Sequence, residues 1–115
     1  SDKQRQPMLS ARLLCALVEV RDYVMERIIL KGFVVVPDDD LDVVILALPE
    51  HIKNTQNEIG CLVFEVTQDK SDTNKLHVYE EFIDEAAFDL HRERVRDSKW
   101  GAVSKSCERH YDINV

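Results

Sequence analysis

Apolar positions recur every three or four residues in three parts of the chain, a spacing typical of amphipathic helices. The first helix is predicted over residues 9–27, the second after the acids at residues 38–40, and the third after Asp84. Pro49 lies inside the second pattern, where a proline removes a backbone donor and clashes with the preceding turn. We therefore expect a kink, or two short helices, near residues 48–50. The first helix has one apolar face, so we expect this face to pack against the rest of the domain or against a second subunit.

Four other segments are rich in β-branched and aromatic residues and predict strands. They cover residues 28–37, 61–69, 75–82 and 110–115. A polar turn at residues 70–74 makes the middle pair a hairpin. Strict alternation in the second strand sets Leu62, Phe64 and Val66 on one side, with Cys61 and Val63 on the other. A short helix, capped by Asp97 or Ser98, precedes the last strand.

The order of these elements is β-α-β-β-α-β, which predicts an α+β, ferredoxin-like domain over residues 28–115. Four antiparallel strands then carry both helices on one face. Because the other face is partly apolar, we expect a second copy of the chain to cover it in a symmetric dimer. Residues 1–27 form an N-terminal extension with an amphipathic helix.

The charge is unevenly spread and excludes some partners. The 115 residues carry a net charge of −7, with five basic and four acidic residues in 1–27 and ten basic and eighteen acidic residues in 28–115. An acidic domain repels phosphate backbones, so no nucleic-acid partner is expected. No apolar run approaches the length of a membrane span, so no membrane partner is expected either.

Cysteine and histidine spacing argues against metal and disulfide chemistry. The three cysteines, Cys15, Cys61 and Cys107, form no CxxC pair, and their odd number favours a reducing, cytoplasmic location. The four histidines lie on different predicted elements without HxH or HExxH spacing. The chain has no GxGxxG, P-loop or GxSxG motif, so no cofactor is expected.

Four segments, taken in order, resemble a known family. These are "LPEHIKNTQNEIGCLVFEV", "VYEEFIDEAAFDLHRE", "SKWGAV" and "RHYDI". Over about residues 28–115 the chain is similar to the small antibiotic-biosynthesis-monooxygenase domain proteins. The resemblance implies a dimeric α/β barrel with a pocket in each subunit, between the sheet and its helices. In the best-understood members, a phenolic or quinol-like substrate is oxidised by O₂ without metal, flavin or haem.

His91 is the candidate catalytic residue. It lies on a stripe with Ala87 and Val95, which helix geometry turns toward the sheet. The family motif has a histidine at this position in the pocket, where neutral imidazole would accept a substrate proton or orient a carbonyl. The alternative is a core histidine bonded to a backbone carbonyl or a carboxylate.

The candidate substrate-binding residues are polar or aromatic and lie on three predicted elements. They are His51, Thr55, Asn57, Glu80 and Trp100. The resemblance turns the second helix toward the pocket, although ordinary surface polarity also explains its polar residues. Glu80 and its neighbour Glu81 face opposite sides of a strand and so form no acid/base pair. Trp100 would either pack against an aromatic substrate or cover the end of the sheet.

The leading hypothesis is a cofactor-independent monooxygenase acting on a small aromatic or quinol-like metabolite. One rival is an isomerase of a small hydroxyketone or phosphorylated signal, as in another relative of the same shape. It needs a nearby cation, for which the candidates are Arg92, Arg94 and Arg96. The fold therefore transfers better than the reaction.

A second rival is a non-enzymatic, dimeric small-molecule-binding or stress protein. The contents of the pocket distinguish it from an enzyme. A deep pocket lined by His91 and Trp100 favours catalysis. A pocket filled by Phe33, Phe64 and Phe88 favours the non-enzymatic protein.

Overall fold

The computed structural model describes residues 26–114. The predicted helix of residues 9–27 falls almost wholly outside this range. The described elements are β1 (Ile28–Val35), a 3₁₀ turn (Asp38–Asp40), α1 (Leu41–Gln56), β2 (Cys61–Gln68), β3 (Lys75–Phe82), α2 (Glu85–Arg96), α3 (Lys99–Val103) and β4 (Glu108–Ile113). Among these, no helix is long and apolar enough to cross a membrane.

The strands form one antiparallel sheet in the order β2-β3-β1-β4. The predicted α+β, ferredoxin-like fold is therefore confirmed. The apolar core lies on one side of the sheet, under the helices, and includes Leu30, Val44, Leu76, Phe82 and Phe88. In register, Leu30 is opposite Glu80 on β3, and Val34 is opposite Arg109 on β4. Paired residues share a face of the sheet, so both polar side chains lie on the helix side.

Helix α1 runs without a break through Pro49, so the expected division into two short helices was wrong. Pro49 lies on the exposed side of the helix, opposite the buried stripe of Val44, Ala47, Leu48 and His51. Water can hydrate the carbonyl that loses its donor on that side, which lowers the cost of the proline.

A β-bulge in β2 changes the predicted alternation of side chains. Cys61 pairs with Phe82 and Val63 pairs with Glu81, so Leu62 is an extra residue in β2. Leu62 is exposed, whereas Cys61 packs against the core. The prediction that Leu62 shares a face with Phe64 was therefore wrong, because strict alternation assumed an unbroken ladder.

Strand β3 alternates as predicted. Leu76, Val78, Glu80 and Phe82 are buried, and Glu81 lies on the opposite face, where it bonds to Tyr79 and Arg27. A carboxylic acid thus occupies an inward position in a row of apolar side chains. Such a placement is costly without a partner.

Two capped turns set the position of Trp100. The Asp84 carboxylate accepts a hydrogen bond from the Ala87 amide and begins α2. Of the two predicted caps for α3, Ser98 is the observed one: its hydroxyl accepts from the Gly101 amide at 3.1 Å. A Cβ at Gly101 would lie 2.1 Å from the Val95 carbonyl oxygen. Glycine thus lets α3 fold back tightly on the end of α2.

Candidate functional site

A cavity of about 700 Å³ lies between the helix-facing side of the sheet and helices α2 and α3. Its apolar walls include Leu30, Val34, Phe64, Val78 and Phe88. Four of the six predicted site residues line this cavity: His51, Glu80, His91 and Trp100. Phe64 and Phe88 form walls without filling the space, and Phe33 lies on the other face of the sheet, stacked on His110.

His91 is held by a carboxylate that the sequence did not identify. Its Nδ1 lies 2.8 Å from Oε1 of Glu58, and Arg94 donates to the other oxygen of the same carboxylate. A carboxylate only accepts hydrogen bonds, so Nδ1 carries the proton and Nε2 keeps its lone pair. Nε2 makes no hydrogen bond within residues 26–114. Burial lowers the pKa of His91, and the hydrogen bond and charge of Glu58 offset part of this.

Glu80 lies beside that lone pair. Its Oε1 is 4.0 Å from Nε2 of His91, too far for a hydrogen bond, and this oxygen is buried without a partner in the described part of the chain. Burial raises the pKa of Glu80 to about 7, and the nearby charge of Glu58 contributes in the same direction. Near neutral pH, the protonated and ionised forms of this carboxyl group therefore coexist.

His51 and Trp100 form a flat aromatic wall. Their ring centroids lie 4.6 Å apart and their planes differ by 5°. Nδ1 of His51 is buried and has no hydrogen-bond partner among residues 26–114. Burial lowers the pKa of His51 to about 3, helped by the charges of His91, Arg94 and Arg109. His51 is therefore neutral and polar, and it lies beside the indole.

Two predicted substrate contacts lie elsewhere. The Thr55 hydroxyl is buried, donates to the His51 carbonyl at 2.8 Å and accepts from Arg94 at 3.1 Å. It is thus part of the scaffold behind Glu58. Asn57 is exposed at the end of α1 and does not line the cavity. An outward helix position explains its polarity.

Sequence reasoning missed two polar groups, Glu58 behind His91 and Arg109 at the cavity. Glu58 follows the end of α1, and no periodicity connects it with His91 on α2. Arg109 lines the cavity from β4, as does Tyr111, a possible phenol donor or packing residue in the sequence. The predicted last strand covered residues 110–115, whereas β4 covers Glu108–Ile113, so Arg109 fell outside it. The polar start of β4 carried no strand signal.

The described residues offer no ready metal site. Among residues 26–114, no three His, Cys, Asp or Glu side chains are grouped closely enough to hold a metal ion. Of the predicted cations, Arg92 and Arg96 line the cavity, while Arg94 turns to Glu58 and Thr55. The cavity therefore combines an apolar, aromatic interior with histidine and carboxyl groups.

A sequence model of the antibiotic biosynthesis monooxygenases matches residues 27–96, which is more than half of the chain. The chain belongs to the antibiotic biosynthesis monooxygenase family. This match spans β1 to α2 and so includes Glu58, Glu80 and His91. A search of the curated proteins gave no match.

Solved structures agree on the fold. A conserved protein from Methanosarcina mazei is 21% identical, with a TM-score of 0.62 over 82% of this chain and 96% of its own. A candidate antibiotic biosynthesis monooxygenase from Nitrosomonas europaea is 15% identical, with a TM-score of 0.63 over 76% and 88%. A Bacteroides thetaiotaomicron protein of unknown function is 16% identical, with a TM-score of 0.63 over 78% and 97%. At these identities the likeness shows the ferredoxin-like fold alone.

Proposed function

We propose that this family member is a cofactor-independent oxygenase that oxidises a small aromatic or quinol-like metabolite with O₂. The observation that carries the proposal is a pair of groups at an apolar cavity. The lone pair of His91 Nε2 lies near Glu80 Oε1, and neither atom has a hydrogen-bond partner in the described part of the chain. Buried polar groups normally have partners. A substrate hydroxyl placed between these two groups would provide one.

In this proposal His91 is the base. It takes the phenolic proton on Nε2, and the Glu58 carboxylate stabilises the imidazolium that forms, as a carboxylate behind a histidine does in hydrolases. Glu80, with a pKa of about 7, shares the hydrogen bond and serves as a second proton acceptor near neutral pH. His51 and Trp100 form the aromatic wall against which the substrate ring lies.

The redox step is carried by the substrate. The phenolate transfers one electron to O₂, giving a phenoxyl radical and superoxide, which combine at a ring carbon to form a peroxide. Breaking the O–O bond leaves one oxygen as a quinone carbonyl. The other oxygen leaves as water, with the hydrogen from that ring carbon and the phenolic proton held by the protein. Atoms and electrons balance with O₂ as the only co-reactant.

The proposed active form is a symmetric dimer joined through the outer face of the sheet. Partly buried apolar side chains, such as Phe33, Val35 and Val63, lie there beside exposed charged ones. The wild-type chain should have twice the monomer mass in light scattering after gel filtration. Val63→Asp, which puts a charge among the apolar side chains of that face, should shift the mass toward that of the monomer.

Oxygen consumption across a panel of hydroquinones and naphthols tests the activity. We expect wild-type turnover and a loss of about 10²–10⁴-fold in His91→Gln, which is what a positioned base contributes. Glu93→Gln is the matched control, because Glu93 is exposed on the same helix as His91 and lies outside the cavity lining. Equal turnover in His91→Gln and wild type would contradict the assignment of His91 as the base.

A second candidate function is an isomerase of a small hydroxyketone or phosphorylated compound. The cations that line the cavity favour it, because such a substrate needs a positive group: Arg92, Arg96, Lys105 and Arg109. The two reactions differ in their need for O₂. Turnover that is undiminished in an anaerobic chamber would favour the isomerase, whereas an oxygenase must stop.

A further inference from the structure

The charge that lines the cavity is opposite in sign to that of the chain. The whole chain has a net charge of −7. Of residues 26–114, Glu80 is the only one that brings a carboxyl to the cavity lining. The arginines and lysines of that lining are Arg92, Arg96, Lys105 and Arg109. An acidic protein has thus concentrated positive charge at one concave surface, where low-dielectric walls strengthen its field.

Three of these cations have no counter-charge within residues 26–114. Arg92 is paired with Asp89 at 2.7 Å and lies over the Phe88 ring. No carboxylate of the described chain lies within salt-bridge distance of Arg96, Lys105 or Arg109. Lone surface cations are ordinary, but three without partners at the same cavity form a site that suits an anion.

The three cations come from three separate parts of the chain and line the same cavity. Arg96 is the last residue of α2, Lys105 follows α3, and Arg109 is on β4. The tight packing of Gly101 against the Val95 and Arg96 carbonyls brings the ends of α2 and α3 together. All three cations are exposed, so they line the solvent side of the cavity.

Arg109 is also oriented in advance. Its guanidinium donates to the Ser104 hydroxyl at 2.9 Å and to the Cys107 carbonyl at 3.4 Å. Ser104 is fully buried, and its own hydroxyl donates to the Trp100 carbonyl at 2.6 Å. The guanidinium is therefore tied to the turn that carries the aromatic wall, which reduces the entropy lost when it binds a ligand.

The opposite end of the cavity has a different chemistry. His51, Glu80 and His91 are each about 6% exposed, so they lie at the inner end. The cavity is thus ordered from cations at the solvent side, through aromatic walls, to uncharged or proton-sharing polar groups inside. A ligand that satisfies all three parts has an anionic group at one end and a hydroxyl group at the other.

We propose that the cavity binds a hydroxylated aromatic anion, with its carboxylate or other oxyanion held by Arg96, Lys105 and Arg109. The proposed binding of the ligand's hydroxyl group rests on the proposed function, because it uses the same His91 and Glu80. The proposed binding of the ligand's anionic group is independent of that function, because it involves no chemical step. The proposal narrows the substrate class from neutral quinols to acidic ones.

Isothermal titration calorimetry under anaerobic conditions, with four probes, tests this. The probes are 2-naphthol, 6-hydroxy-2-naphthoate, 6-hydroxy-2-naphthalenesulfonate and 2-naphthoate. We expect 6-hydroxy-2-naphthoate to bind about tenfold or more tightly than 2-naphthol, the value of a charge-assisted hydrogen bond. Salt should reduce this advantage. The sulfonate distinguishes a tetrahedral oxyanion site from one that prefers a planar carboxylate, and 2-naphthoate isolates the anionic end.

Two variants report on the subsite. Arg109→Gln and Lys105→Gln should each remove most of the naphthoate advantage and leave the Kd of 2-naphthol unchanged. Lys105 donates to no side chain in the described range, so its variant does not depend on the Ser104 anchor. Lys70→Gln is the matched control, because Lys70 is exposed on the β2–β3 turn, outside the cavity lining. Equal affinity of wild type for 2-naphthol and both anions overturns the proposal.

This result is separable from the oxygenase test. Tight, salt-sensitive binding of 6-hydroxy-2-naphthoate without oxygen uptake by any substrate would support the anion subsite and contradict the proposed function. Oxygen uptake with neutral quinols, together with no preference for acidic ligands, would support the proposed function and contradict the anion subsite.

Discussion

The carboxyl group of Glu80 and the imidazole of His91 face each other across 4.0 Å with no hydrogen bond between them. Each is buried, and each is held from behind by its own element, β3 or α2. One oxygen atom of a ligand, placed to the side of the line joining these two atoms, would lie within hydrogen-bond distance of both. Burial of these two groups without a hydrogen bond between them lowers the stability of the ligand-free protein. In the proposed function, a bound substrate hydroxyl would supply the missing hydrogen bonds.

Glu80→Gln should make the protein more stable at alkaline pH. Unfolded Glu80 ionises near its ordinary pKa of 4.5, and folded Glu80 near 7. Between these values the folded state binds more protons, so wild-type stability falls as pH rises from 4.5 to 7, and the loss persists above pH 7. The loss should be about 3 kcal/mol, from the conversion of pKa to free energy.

Urea unfolding at pH 4.5 and pH 8 measures this effect. The gain in Glu80→Gln should be present at pH 8 and nearly absent at pH 4.5. Glu65→Gln is the control, because Glu65 is exposed on β2. A gain that is equal at both pH values would contradict a buried, proton-sharing carboxyl.

Glu58→Gln should weaken catalysis without removing any group that touches substrate. The glutamine would no longer raise the pKa of His91 or stabilise its protonated form. We expect a loss in kcat/KM of about 10–100-fold, part of what a positioned base provides. The acidic limb of the pH profile should also move to lower pH, which a purely structural role would not cause. Glu50→Gln, on the exposed side of α1, should change neither.

His51→Phe should make the protein less sensitive to acid. The folded pKa of about 3 lies below the ordinary value of 6.5, so unfolded His51 takes up a proton first. Stability from this source is fully present above pH 6.5 and is lost as pH falls toward 3. Phenylalanine keeps the stack on Trp100 and has no proton to gain. Thermal melts at pH 7 and pH 4 should show a smaller drop in Tm for His51→Phe than for wild type.

Gly32→Ala should detach β4 from the sheet. A Cβ at Gly32 would lie 1.9 Å from the His110 carbonyl oxygen, so β1 and β4 could not keep their spacing. We expect a loss of about 1–3 kcal/mol, typical of overpacking. Lys31→Ala, at the exposed neighbouring position, should stay within about 0.5 kcal/mol of wild type. An unchanged unfolding free energy for Gly32→Ala would show that β4 can shift freely.

The order of elements was predictable because each has a strong local signal. Alternation in β3 placed Glu80 and Glu81 on opposite faces of the sheet, and the structure shows that Glu80 is the inward one. The bulge at Leu62 was not predictable, because it depends on how β2 meets β3 across the hairpin. Helix α1 continues through Pro49 because that side of the helix is exposed to water. Periodicity did not predict that the cost of the proline would be lowered there.

The site was predictable where its residues lie on a regular face. Helical spacing turned His91 toward the sheet, and the family resemblance turned the helix of His51 toward the pocket. The structure brings both to one cavity. Glu58 and Arg109 were missed because each follows a turn, where no period fixes the direction of the side chain. Their roles depend on contacts between elements that are far apart in the chain.

The sheet order β2-β3-β1-β4 also makes β4 an edge strand that supplies part of the cavity wall. His51, Glu80 and His91 lie on other elements, α1, β3 and α2. Strand β4 pairs with β1 alone and follows every other described element, so its docking closes the longest loop. Ligand affinity should therefore develop later in refolding than helix content, because the last strand to dock contributes Arg109 and Tyr111 to the cavity.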